Sequence, residues 1–197
     1  MKKLDVNEAV AALQNDEVIA VPTDTVYGVC ARMDSLEARE RLSEAKNRPA
    51  NKAFPIMCCD ASQVYQIAKV DEQARKVIES LMPGPLTVVL EKQDGLPAWV
   101  AEGMDTVAVR IAPPGSLQEI ICKLGTPVFM TSANQSGQKE CASEQEIEEQ
   151  CPLAYGFVEG DAPGGMASTI VDLAGGGIRI LRQGPISMNT IKEKANA

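Results

Sequence analysis

Val18-Ile19-Ala20-Val21-Pro22 constrains this chain more than any other segment. A continuous apolar run of this kind reads as a strand buried on both faces, and Pro22 ends its regular ladder. The chain then changes character to Thr23-Asp24-Thr25-Val26-Tyr27-Gly28. If the backbone stays extended, Thr23, Thr25 and Tyr27 point to one side. Three hydroxyls on one face at the end of a buried strand would make a binding surface. A strand-end turn, with Thr and Asp side chains satisfying loop amides, is the other reading. The segment alone does not choose between them.

Around it, helical and strand patterns mix without strict alternation. Asp5 to Gln14 places apolar residues at Val6, Val10 and Leu13 behind an Asp start signal, which predicts an amphipathic helix. Asp34 with Glu37 has capping-box spacing for a helix to about Ala45, with Leu36 and Leu42 inward and Arg39 among the wet residues. Pro49 disfavours helical geometry at Arg48, so the segment from Lys46 to Lys52 should be extended. Further helices are expected over 60–68, 71–82 and 116–124, with an acidic one inside 138–152. Strands are expected over 54–58, 86–90, 107–111, 128–130, 155–158, 168–173 and 178–182. Pro83-Gly84-Pro85 and the glycines at 164–165 and 175–177 punctuate them, and residues 188–197 read as a tail. With no repeat or linker composition, the expectation is one α/β domain over 1–197, a mixed sheet with helices packed on it.

The chain lacks histidine, which excludes Ser-His-Asp and Cys-His catalytic units and His-ligated metals. Its net charge of -8 opposes a general electrostatic grip on nucleic acid, and 4% aromatics leaves few base-stacking platforms. Any anion site must therefore be a local cationic cluster. Six cysteines without CxxC spacing, and a Met-Lys-Lys start without a following apolar stretch, predict reduced thiols in a cytoplasmic protein. No apolar run approaches the roughly 18 residues of a membrane span.

Lys46, Arg48 and Lys52 are such a cluster: they suit phosphate, or else merely complement a helix C-terminus. Arg110 sits inside Val107-Ala-Val-Arg-Ile111, where a cation needs either an internal salt bridge or a ligand carboxylate. Thr131-Ser132-Ala133-Asn134 follows an apolar strand as Thr23-Asp24-Thr25 does. Two such strand ends suggest one cleft above a sheet, which Ser168, Thr169 and Arg182 would close. Gly160 to Gly165 has P-loop glycine spacing, but Met166 stands where the lysine is required, and Gly175-Gly176-Gly177 precedes a strand rather than a helix.

Taken together, Pro22-Thr-Asp-Thr-Val-Tyr-Gly28, Lys46-Asn-Arg-Pro49, Pro83-Gly-Pro-Leu-Thr87, Val107-Ala-Val-Arg110, Thr131-Ser-Ala-Asn-Gln-Ser-Gly137, Ser168-Thr-Ile-Val-Asp172 and Ile180-Leu-Arg-Gln-Gly184 resemble, in order and spacing, the YrdC/TsaC family. The resemblance runs from about residue 8 to 187 and points to the short, single-domain form. It implies a YrdC-like twisted sheet whose concave face holds ATP, L-threonine and bicarbonate, and threonylcarbamoyl-AMP synthesis for tRNA N6-threonylcarbamoyladenosine. Lys46 and Arg48 match the KxR signature, implying contact with the ATP phosphates and the catalytic role. Lys52, Ser132, Asn134 and Arg182 match further nucleotide contacts. Thr25, Arg110 and Ser168 match positions that hold threonine, with Thr23 and Tyr27 shaping that wall. Met57 stands where some members carry histidine, so one threonine contact differs.

What the resemblance implies chemically suits a chain without histidine. A carbamate formed on threonine is already an anion, so its attack on the α-phosphorus of ATP needs no general base. Alignment and facing cations then carry the step. Mg²⁺ is expected with ATP rather than in a protein metal site. Expected partners are the downstream tRNA threonylcarbamoyl-transferase proteins, with weak direct tRNA binding at most and no membrane. The alternative is a paralogue that binds nucleotide or RNA without this synthase activity.

Overall fold

The computed structural model describes residues 1–196 apart from 49–51, 136–137, 140, 142, 161 and 163–165. Among them run β1 (Lys2–Leu4), α1 (Val6–Gln14), β2 (Ile19–Val21), β3 (Gly28–Arg32), α2 (Leu36–Ala45), β4 (Ile56–Cys58), α3 (Ala61–Ile67), α4 (Glu72–Leu81) and β5 (Leu86–Glu91). They continue with α5 (Ala98–Ala101), β6 (Thr106–Ile111), α6 (Ser116–Leu124), β7 (Val128–Ser132), α7 (Glu144–Gln150), β8 (Gly156–Val158), β9 (Thr169–Asp172), β10 (Arg179–Arg182) and α8 (Met188–Asn196). The strands form one mixed sheet in the order β1-β8-β2-β3-β7-β4-β6-β5-β9-β10.

Alternation along the strands divides the core into two layers. Ile19 and Val21 face one layer with Leu13, Leu117, Ile120 and Ile121, where α1 packs beside α6. Val18 and Ala20 face the other with Leu42, Val64, Val77 and Ile78, from α2, α3 and α4. Both faces of β2 are thus covered, which is why its sequence is continuously apolar.

Several expectations change. The antiparallel partner of β2 is β3, whose Val29-Cys30-Ala31 run is short and went unassigned. Residues 188–197 are not a tail. α8 buries Ile191 and Ala195 and packs on α4. The cap of α2 is Ser35, whose side chain accepts from the Ala38 amide, because Asp34 is held by Arg32 at 2.7 and 2.8 Å instead. The helix is also rotated from the expected facing. Leu36 is exposed and Arg39 is buried, ion-paired with Glu102. Cys59 and Cys122 are joined as a disulfide, whereas Cys30, Cys58, Cys141 and Cys151 are free and buried. No described helix is long and apolar enough to cross a membrane. The glycines at 164–165 lie outside the described residues, and Gly175 and Gly176 do adopt positive φ.

Candidate active site

The two hydroxyl-bearing strand ends meet. Gly28 at the start of β3 pairs with Ser132 at the end of β7, and the Ala133 amide donates to the Tyr27 carbonyl at 2.7 Å. A Cβ on Gly28 would collide with the Met130 sulfur and sit 3.1 Å from the Thr131 carbonyl, so any larger residue there makes the Met130 side chain move. Above this junction lies a cavity of about 420 Å³. Thr23, Thr25, Tyr27, Arg48, Met57, Arg110, Ser132, Ser168 and Arg182 all line it.

The 22–27 segment reaches the cavity as a turn, not as an extended strand. Thr23 Oγ1 donates to the Val26 carbonyl at 2.6 Å and accepts from the Thr25 and Val26 amides, both at 3.2 Å. The structure shows the turn reading, and the turn sets Thr25 Oγ1 3.1 Å from Thr23 Oγ1 on the cavity wall. Tyr27 reaches further out and donates its hydroxyl to the Gly160 carbonyl at 2.5 Å.

Arg110 is delivered by β6, paired in register with Met57 on β4. Its Nε donates to the Gly84 carbonyl at 3.0 Å, and its Nη2 donates to both carboxylate oxygens of Asp24 at 2.5 and 2.6 Å. Burial pulls the Arg110 pKa down and the Asp24 charge opposes that shift. The salt-bridge reading of this residue is the one the structure shows, and the same side chain lines the cavity.

On the opposite strands, Ser168 Oγ lies 3.0 Å from Thr87 Oγ1. Arg182 donates to the Ser168 carbonyl from Nε at 3.0 Å and from Nη2 at 2.9 Å, and to its hydroxyl at 3.1 Å. Thr169, fully buried, anchors this corner by bonding Ile186 and the Gly184 amide. Thr87 was not foreseen as a site residue, though it is the one polar side chain in Leu86-Thr-Val-Val-Leu90. Asp24 was missed too, and nothing local in its turn marks it as the partner of Arg110.

The cationic segment divides. Arg48 lines the cavity, stacks 4.7 Å from the Phe54 ring, and donates to the Lys52 and Ala53 carbonyls at 3.2 and 2.7 Å. Its pKa is lowered by burial first and by neighbouring Arg39 second. Lys52 is exposed and away from the cavity lining. Lys46 is buried beneath the β7 end instead of lining the cavity. Its ammonium donates to the Ser132 carbonyl at 2.7 Å, to Asn134 Oδ1 at 3.0 Å and to the Asn134 carbonyl. Asn134 Oδ1 also accepts from Ser132 Oγ at 2.6 Å, and its Nδ2 donates to the Gln138 carbonyl at 2.6 Å. The expected phosphate lysine thus holds the Ser132–Asn134 corner in shape.

Among the described residues that line the cavity are three guanidinium groups and no carboxylate, Asp24 pairing with Arg110 from beside it, in a chain of net charge -8. The arrangement suits a ligand carrying several negative charges.

Known proteins share this chain's sequence pattern and fold. The family model for Sua5, YciO and YrdC, described as "telomere recombination", matches residues 11–184. A threonylcarbamoyl-AMP synthase of Enterobacter sp. (strain 638) is 34% identical over 160 residues, covering 80% of this chain and 84% of that protein. The structure of P. abyssi Sua5 complexed with L-threonine superposes with a TM-score of 0.87 at 29% identity, over 98% of this chain and 58% of that one. E. coli YciO, at 24% identity, shares the fold with a TM-score of 0.85, over 94% and 92% of the two chains. The chain thus spans less than two thirds of the P. abyssi protein.

Proposed function

The chain belongs to the Sua5/YciO/YrdC family, and we propose that it is an L-threonylcarbamoyladenylate synthase, converting L-threonine, bicarbonate or CO₂, and ATP to threonylcarbamoyl-AMP and pyrophosphate. The observation that carries this reading is the cavity lined by Arg48, Arg110 and Arg182 with the hydroxyls of Thr25, Ser132 and Ser168.

In this reading Arg110 takes the α-carboxylate of threonine, for which its planar fork is suited. Thr25 or Ser168 bonds the threonine hydroxyl. Left unpaired by an isostere without that hydroxyl, a buried polar group would cost enough to discriminate. Arg48 and Arg182, with Ser132, face the phosphates. The amine nitrogen of threonine bonds the carbon of CO₂ and loses a proton to water. One carbamate oxygen then forms a bond to the α-phosphorus while the bond to the bridging oxygen of the β-phosphate breaks and pyrophosphate departs. Arg48 and Arg182 stabilise the charge that develops on the phosphoryl oxygens.

Among the described residues no cluster of three His, Cys, Asp or Glu is placed to hold a metal ion. In this reading Mg²⁺ arrives with the ATP phosphates, where it would neutralise polyphosphate charge. Lys46 and Asn134 act by positioning Ser132 and the β7 end. In this reading the adenylate passes to tRNA-modifying proteins, and the reaction is proposed to be cytoplasmic.

The test is to incubate the protein with ATP, Mg²⁺, bicarbonate and isotope-labelled L-threonine and to analyse the products by mass spectrometry. A labelled adenylate with stoichiometric pyrophosphate is expected. ATP binding without any threonine-derived adenylate would refute the synthase reading.

A further inference from the structure

The pairing of Arg110 with Asp24 creates a conflict with the substrate it is built to hold. The Arg110 side chain is 8% exposed and that of Asp24 is 27% exposed. A buried cation needs a counter-charge, and Asp24 supplies it through both oxygens. A second carboxylate on the same guanidinium would set two negative charges side by side on one donor. The geometry conflicts as well. Nε is committed to the Gly84 carbonyl and Nη2 to Asp24, so a bidentate approach through Nη1 and Nη2 requires Asp24 to withdraw.

We infer that Asp24 is a stand-in for the amino-acid carboxylate: it neutralises Arg110 until the substrate arrives, is exchanged for the substrate carboxylate, and so sets the affinity for the amino acid. This rests on the reading of the cavity as a threonine site. Asp24 has somewhere to go. It also lines a neighbouring cavity of about 240 Å³, shared with Gly115 and Ser116. There α6 begins at Gly115 without a side-chain cap, so its first amides lack the oxygen acceptor that a capping residue provides. A carboxylate leaving Arg110 finds Gly115, Ser116 and Leu117, at the start of that helix, on the wall of the same small cavity.

The exchange makes a signed prediction that a purely structural ion pair does not. Titration calorimetry of L-threonine into the full chain compares wild type, Asp24→Asn, Asp24→Ser and Asp24→Glu. If Asp24 occupies Arg110 in about nine-tenths of molecules, removing its charge tightens threonine binding about tenfold. Asp24→Ser carries the same expectation and serves if Asp24→Asn fails to fold. Asp24→Glu keeps a competing carboxylate and should stay within about threefold of wild type. L-threoninol, which lacks the carboxylate, should bind wild type and Asp24→Asn equally. Unchanged or weaker threonine binding by folded Asp24→Asn and Asp24→Ser overturns the inference, because Asp24 would then be a partner that stays. An equal gain for threoninol also overturns it. No threonine binding by folded wild type would instead sink the threonine reading of the cavity, and the inference with it.

Discussion

Replacing Lys46 with methionine separates two roles that resemblance and structure assign to this side chain. Methionine keeps an unbranched stem of similar reach and removes only the ammonium. Three acceptors lose a charged donor: the Ser132 carbonyl, the Asn134 carbonyl and Asn134 Oδ1. Two have fallbacks, since Ser132 O accepts from the Asn134 amide at 3.1 Å and Asn134 Oδ1 accepts from Ser132 Oγ at 2.6 Å. The Asn134 carbonyl loses its bond to Lys46 outright, at about 1–3 kcal/mol for a buried unsatisfied acceptor. With two weakened bonds added, the loss should be about 2–4 kcal/mol. For a chain of this length that lowers Tm by roughly 5–15 °C. Arg48→Ala is the contrast. Arg48 is half-buried and bonds nearby loop carbonyls, so the variant should melt within ~3 °C of wild type but lose ATP affinity at least about tenfold. Thermal melting by circular dichroism, with ATP affinity by calorimetry, reads both. If Lys46→Met melts like wild type while ATP binding collapses as in Arg48→Ala, the positioning role is wrong and Lys46 serves the phosphates directly.

Arg110→Lys should weaken L-threonine binding by about 10–100-fold in calorimetry, because one ammonium cannot reproduce the fork bonded to Gly84 and Asp24. Gly184→Ala should cost at least ~2 kcal/mol in urea unfolding. A Cβ there would lie 2.5 Å from the Ala167 carbonyl and 2.6 Å from the Ser168 carbonyl carbon, so the chain beside Ser168 must shift and activity should fall with it. Cys122→Ser, or a thiol reductant on wild type, should lower stability by about 4 kcal/mol in the same assay, the loop entropy expected for a 63-residue separation.

Much of the chain's organisation was legible without tertiary information, where the cause is local. β2 announces itself because both its faces are buried, and α1 because Asp5 starts it ahead of an apolar stripe. The ordered motifs brought Thr25, Arg48, Arg110, Ser132, Ser168 and Arg182 together before any coordinates, and they do line one cavity. Three features went astray for a shared reason. α8 is no less amphipathic than α1, but only its packing on α4, far away in sequence, shows that its apolar face is buried. The helix α2 turns Arg39 inward because Glu102, 63 residues on, compensates its charge. Lys46 leaves the cavity because the end of β7 presents three oxygens beneath it.

By itself the sequence determined most of the strands and helices, that the protein is acidic with local cations, and which side chains are chemically able to hold carboxylate and phosphate. Those properties depend on backbone preference and on charges a few residues apart. Which cation faces the cavity and which is consumed inside the fold was decided only by the tertiary structure. A buried charge takes whatever partner the packing brings near. For Arg110 that partner is Asp24, 86 residues away along the chain and 2.5 Å away in space.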